Sequence, residues 1–67
     1  HMAKSFEYKE AVGISSVSIE DAVNNAVRAI SETHMVAWFE LLSTRGRTLD
    51  GDSLEFQVSI KAGCKAK

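Results

Sequence analysis

Residues 53–65, SLEFQVSIKAGCK, alternate in character over their whole length. Leu54, Phe56, Val58, Ile60, Ala62 and Cys64 take the even positions, and Ser53, Glu55, Gln57, Ser59, Lys61 and Lys65 take odd ones. A period of two sustained this far specifies a strand with one face on a core and the other face elsewhere. Upstream the period changes. In SIEDAVNNAVRAISETH, residues 18–34, the apolar residues Ile19, Ala22, Val23, Ala26, Val27 and Ile30 recur at helical spacing. They form one stripe of an amphipathic helix of about sixteen residues, with Glu20, Asp21, Asn24, Asn25, Arg28 and Ser31 on its wet side. Ser18 is the expected N-cap, Asp21 the weaker partner of a capping box, and Val17 is placed to staple onto Ala22.

The flanking segments complete the chain. KSFEYKEAVG, Lys4 to Gly13, has β-rich composition, with Phe6, Tyr8 and Val12 on one side and Glu7 and Lys9 on the other. Gly13, Ser15 and Ser16 are expected to end it. Residues 36–45 make a second strand, and Asp50-Gly51 suits a tight turn with positive φ before the third. The fold class is therefore α+β in the order β-α-β-β: a three-stranded antiparallel sheet with one helix packed on one face. His1 and Met2 read as a cloning scar and initiator, leaving one domain over residues 3–67.

So small a domain buries only about 60% of its unfolded surface and commonly needs a disulfide, a metal or self-association. Cys64 is the only cysteine, which rules out an intrachain disulfide and a zinc quartet. Self-association is the support left, and a content of 45% hydrophobic residues agrees with it. The net charge of −1 offers no basic footprint for nucleic acid. No apolar run approaches the roughly 20 residues that span a bilayer, and nothing reads as a signal peptide, so the expected compartment is the cytoplasm. No Ser-His or Cys-His pair, phosphate-cradling glycine loop or metal cluster stands out, so no catalytic residue and no metal ligand is assigned.

Trp38 is the only tryptophan. In the second strand Ala37, Phe39 and Leu41 share one face, and Val36, Trp38, Glu40, Leu42 and Thr44 the other. A single helix covers one face of the sheet. Placing Ala37, Phe39 and Leu41 beneath it with Phe56, Val58 and Ile60 leaves Trp38 on the helix-free face with Gln57, Ser59 and Lys61. The reverse choice would bury Glu40 without a partner. A long hairpin must also overhang a shorter helix, and an apolar overhang does not stay wet. Trp38 is then either an interface filler or a stacking platform for an aromatic ligand.

WFELLSTRG (Trp38 to Gly46), FQVSIKAGCK (Phe56 to Lys65) and the turn AVGISS together resemble the dodecin family. The joint spacing of Trp38, Arg45-Gly46 and Gln57-Val58 carries the resemblance, which covers the chain after its first two residues. It implies a small non-enzymatic flavin-binding protein that assembles as a homododecamer and stores flavins in pairs between symmetry-related Trp side chains. Carried over, Trp38 is the stacking wall and Gln57 reads the pyrimidine edge of the isoalloxazine. Arg45 borders the ligand or meets a phosphate tail, and Lys65 stands where relatives often have Arg near the flavin. FMN is the flavin favoured, with riboflavin and FAD as alternatives. The departures are Cys64 for the usual Phe, a connection before Trp38 one residue shorter, and RAISETH, less basic than the segment by which some relatives hold coenzyme A. The competing reading is a structural homo-oligomer or interaction protein in which Trp38 only fills an interface and no flavin is bound.

Overall fold

The structure, a computed structural model, describes residues 5–66, and for Ala66 the backbone alone. His1, Met2 and Lys4, to which the sequence assigned a scar, an initiator and a strand start, lie outside the described residues. Four elements follow in order: β1 (Glu7–Ser15), α1 (Ile19–Ser31), β2 (His34–Thr48) and β3 (Leu54–Ala66). The sheet is antiparallel and ordered β1-β3-β2, with the alternating strand β3 in the middle. The expected α+β architecture, β-α-β-β with one helix on one face, is the one observed.

Ala22, Ala26 and Ile30 of α1 meet Val58, Ile60, Ala62 and Cys64 of β3, all buried, with Ala11, Val23, Val27, Val36 and Phe56 around them. The even face of β3 is thus the core face. Small residues set how closely the layers approach. A Cβ at Gly13 would lie 1.8 Å from the carbonyl oxygen of Ala22, so the helix backbone rests directly on β1 there. Of the residues expected to end the first strand, Ser15 does so and Gly13 does not: β1 runs through the glycine to Ser15, because the role of Gly13 is close approach rather than a turn.

The start of α1 keeps the expected cap but not the expected box. The Ser18 hydroxyl accepts from the Asp21 backbone N–H at 2.9 Å. The Asp21 carboxylate, however, accepts from the Ser15 hydroxyl at 2.7 Å, and that hydroxyl in turn accepts from the backbone N–H groups of Val17 (2.9 Å) and Ser18 (3.3 Å). Ser15, 7% exposed, has displaced Asp21 as the partner of the Ser18 N–H. Val17 is 77% exposed, so the staple onto Ala22 is not made. Asn25 adds a tie from the helix flank, donating to the Ile14 carbonyl at 2.9 Å. Ser18→Ala should lower protomer stability by about 1 kcal/mol, the usual cost of a lost N-cap; a thermal melt at matched protein concentration checks it.

The helix is 13 residues, shorter than expected, while β2 has 15 and runs beyond both ends of the expected 36–45 segment. A helix of that length covers about 20 Å, and a strand of that length about 50 Å. The molecule accordingly measures 57 × 19 × 12 Å. Three residues, 16–18, join β1 to α1, which keeps the helix over β1 and β3 and leaves β2 at the uncovered edge. Phe39 and Leu41 do lie on the helix side, opposite Ala62 and Ile60, but the helix does not reach them and they stay 46% and 49% exposed. At the hairpin tip Gly51 has φ +74°, the positive φ expected of the Asp50-Gly51 turn, and Leu49 N–H donates to the Ser53 carbonyl at 2.9 Å.

Candidate functional site

Two irregularities in β2 decide which side chains share the helix-free face. Pairing with β3 is interrupted between Val36 and Trp38 and again between Leu41 and Ser43. An extra residue in one strand shifts alternation by one, so every residue beyond it changes face. Val36 pairs with Cys64 and Thr44 with Val58, both core-facing partners. The expectation that Val36 and Thr44 share the face of Trp38 is therefore corrected: strict alternation does not survive the bulges. The second bulge also turns Arg45 to the helix-free face, directly opposite Gln57.

Trp38 stands opposite Gly63. A Cβ on Gly63 would fall 2.2–2.6 Å from Cε2, Cζ2 and Nε1 of the indole, so the ring lies across the bare backbone of β3. Gly63 is an odd position, which puts the ring on the face away from α1. From the other side of β3, Tyr8 also pairs with Gly63, and Phe6 and Tyr8 meet the indole edge-on at centroid distances of 6.4 and 5.8 Å. The Lys61 ammonium lies 4.9 Å from the Tyr8 ring centre and the Lys65 ammonium 5.9 Å from that of Phe6. Lys65 thus sits beside the aromatic group, on the face carrying Trp38. The apolar side of β1, Tyr8, Val12 and Ile14, turns out to be its helix-free side, Phe6 just before the strand lies against Trp38 on that side too, and all four are at least 49% exposed.

The second cluster is polar. Arg47 pairs with Glu55 and Arg45 with Gln57 in the register. Arg47 Nε donates to Glu55 Oε1 at 2.8 Å, and Gln57 Nε2 donates to the same oxygen at 3.3 Å. The Arg47 hydrogen bond, followed by that from Gln57, holds the Glu55 carboxyl below the usual carboxylate range. Because the folded pKa is the lower one, this stabilisation is complete above the unfolded pKa. It is lost as pH falls through the depressed value.

Trp38 and Gln57 share a face, yet they are not neighbours. Gly63, which marks the position of Trp38, and Gln57 are six residues apart on β3, or roughly 20 Å at 3.2–3.4 Å per residue. One protomer therefore presents an aromatic end (Trp38, Phe6, Tyr8, Lys65) and a polar end (Arg45, Arg47, Glu55, Gln57). The described residues also form two shallow concavities. One, of about 260 Å³, lies beside the helix C-terminus at Lys9, Thr33 and His34, and one, of about 290 Å³, lies near the hairpin tip at Gly46, Leu54 and Phe56. Neither lies over Trp38. Sequence reasoning missed Gly63, Phe6 and Tyr8 as surroundings of the indole. The signal for Gly63 was available, a glycine interrupting the polar positions of an otherwise strict alternation.

The model of the dodecin family matches residues 6–67. The chain belongs to the dodecin family. Among solved structures, dodecin from Streptomyces coelicolor is 35% identical, with a TM-score of 0.76 over 92% of this chain and 93% of that one. Dodecin from Streptomyces davaonensis is 30% identical, with a TM-score of 0.80 over 94% of each chain. The tt0972 protein of Thermus thermophilus is 29% identical, with a TM-score of 0.82 over 97% of each. No curated protein sequence matches significantly. Dodecins are small flavin-binding proteins, and homo-oligomeric assembly goes with the family. No described helix is long and apolar enough to cross a membrane.

Proposed function

We propose that this dodecin stores flavin, FMN by preference, in the cytoplasm, holding flavin pairs between Trp38 side chains of symmetry-related copies in a dodecameric shell. The observation that carries the reading is the indole lying across Gly63 on the helix-free face, about 20 Å along the strand from the Gln57 amide. A three-ring plane is far shorter than that distance. A ligand stacked on Trp38 of one copy can meet Gln57 only if another copy supplies it, so the site is complete only in the assembly. The exposed Phe39, Leu41, Leu42 and Leu54 of the hairpin provide apolar surface for such contacts.

A bound isoalloxazine contributes a broad, electron-poor plane that absorbs visible light. Indole is the most electron-rich side-chain ring, and stacking adds about 0.5–1.5 kcal/mol beyond the area it buries. Trp38 also lies close enough in such a stack to donate an electron to the excited plane, which quenches its fluorescence and photochemistry. The Gln57 amide has one acceptor and two donors in a plane, so after giving one N–H to Glu55 it still presents a donor and an acceptor side by side. That pair complements an imide edge. Arg45, opposite Gln57, is placed to meet a phosphate tail with its planar donors. Lys65 contributes charge beside the stack. None of these groups forms a nucleophile–base pair, and the role is to hold rather than to turn over.

The edge-on contacts of Phe6 and Tyr8 favour a second reading, in which Trp38 only fills an interface between copies. Titrating dilute FMN, riboflavin and FAD with the protein decides between them. The storage reading expects stoichiometric loss of flavin fluorescence, tightest for FMN. A colourless oligomer that leaves all three flavins fluorescent would leave only the interface reading.

A further inference from the structure

Glu55 and Arg47 have no part in the reading above except as neighbours, yet they are hydrogen-bonded into the surroundings of the Gln57 amide. An amide side chain has two nearly isosteric ends of opposite character, and an unsupported one turns either end to a ligand. A carboxylate only accepts. Glu55 Oε1, 3.3 Å from Gln57 Nε2, can be satisfied by the NH₂ end alone, so the carbonyl end is directed away from it. The carboxylate is itself held: Arg47 Nε donates to the same oxygen at 2.8 Å, and the Glu55 side chain is 20% exposed. Arg47, directly across the strand pair, draws Glu55 toward itself through a hydrogen bond that the charge on both groups strengthens.

We infer that Glu55, held by Arg47, is a positioning residue that keeps the Gln57 amide in one orientation, its NH₂ end toward the carboxylate and its carbonyl free to accept from a ligand N–H flanked by carbonyl acceptors. The inference rests on the flavin reading and assigns its selectivity for an imide edge to a residue two positions from the one that makes the contact. Turning the amide over in the native protein would set its carbonyl against a carboxylate. The native orientation gains a charge-assisted hydrogen bond that the competing one replaces with repulsion, so the competing orientation is disfavoured. The other charged group facing Glu55 on this side of the sheet is Arg45, diagonal to it, while β1 brings only Ile14 beside Gln57. Among the described residues no second carboxylate is paired with this cluster to take the place of Glu55.

Riboflavin is the suitable probe, since it lacks the phosphate whose own titration would obscure that of Glu55. Its affinity is measured by fluorescence quenching between neutral and acid pH for the native assembly, Glu55→Gln and Arg47→Ala, with assembly size monitored throughout. The native protein should hold a constant affinity from neutral pH until Glu55 protonates, then weaken. Arg47→Ala should move that weakening to higher pH. Glu55→Gln keeps the shape but offers both a donor and an acceptor to Gln57, so it should bind several-fold more weakly at neutral pH and lose the acid limb. It should also discriminate less between riboflavin and its N3-methyl derivative. Native affinity, pH profile and discrimination retained in Glu55→Gln would overturn the positioning role, and so would an acid limb unmoved in Arg47→Ala if Glu55→Gln failed to assemble. Failure of the native protein itself to quench riboflavin would overturn the flavin reading instead.

Discussion

Gly13→Ala is expected to leave the protomer unfolded, or melting well below the native protein. The added Cβ would lie 1.8 Å from the Ala22 carbonyl oxygen, 2.8 Å from Ala26 N and 2.9 Å from the Ala22 carbonyl carbon. All three are backbone atoms of α1, so no rotamer change relieves the overlap and the helix must lift from β1. Lifting it opens the layer where Ala22, Ala26 and Val58 are fully buried. Overpacking in cores costs about 1–3 kcal/mol and occasionally more, and a rigid backbone clash belongs at or beyond the upper end. Native domains hold only about 0.05–0.15 kcal/mol per residue, so a penalty of about 3 kcal/mol removes from about a third to nearly all of what a chain this short has. At roughly 4–8 °C per kcal/mol for small domains, the melting temperature should fall by more than about 12 °C. Circular dichroism melts at matched protomer concentration check this, because assembly makes stability concentration-dependent. Gly51→Ala is the useful comparison: nothing lies within 4 Å of its added Cβ, and only its positive φ is penalised. Equal melting temperatures for Gly13→Ala and the native protein would show that the helix seat is slack.

Trp38→Ala should abolish quenching of bound flavin and weaken FMN binding by about 30-fold or more. Truncating a buried tryptophan at the centre of an interface typically costs at least about 2 kcal/mol, and each tenfold in affinity corresponds to about 1.4 kcal/mol. The effect on quenching is separate from that on affinity, because quenching needs an electron-rich ring and not merely a filled volume. Gly63→Ala sharpens the test. Its Cβ would lie 2.2–2.6 Å from the indole, so the ring must shift although Trp38 is still present. If stacking geometry carries the function, Gly63→Ala should weaken binding in the same direction. Flavin affinity and quenching unchanged in Trp38→Ala would reject the stacking role outright. A loss of assembly with no flavin effect in the native protein to begin with would assign Trp38 to the interface alone.

The elements that were legible in the sequence are those set by a local period. Ile19 to Ile30 show one apolar stripe because a helix brings residues three and four apart onto one face, and Leu54 to Cys64 alternate because a strand brings every second residue onto one face. The same reasoning placed Trp38, Gln57, Ser59 and Lys61 away from the helix. It failed at Val36 and Thr44, where a single extra residue inverts the pattern without any mark in the composition. It placed the end of the first strand correctly at Ser15 but counted Gly13 as part of that end, since a glycine required by the approach of a helix reads no differently from one required by a turn.

The sequence by itself determined the order of elements, the cap at Ser18, the turn at Gly51 and the helix-free side of Trp38, because burial and backbone preference act within a few residues. Only the tertiary structure decided the central place of β3, the turn of Arg45 toward Gln57, the edge-on contacts of Phe6 and Tyr8 on the indole, and the roughly 20 Å between Trp38 and Gln57. Each of those depends on which strand pairs with which and in what register. Register is a property of two distant segments at once, settled by which arrangement buries the most apolar surface without stranding a polar group.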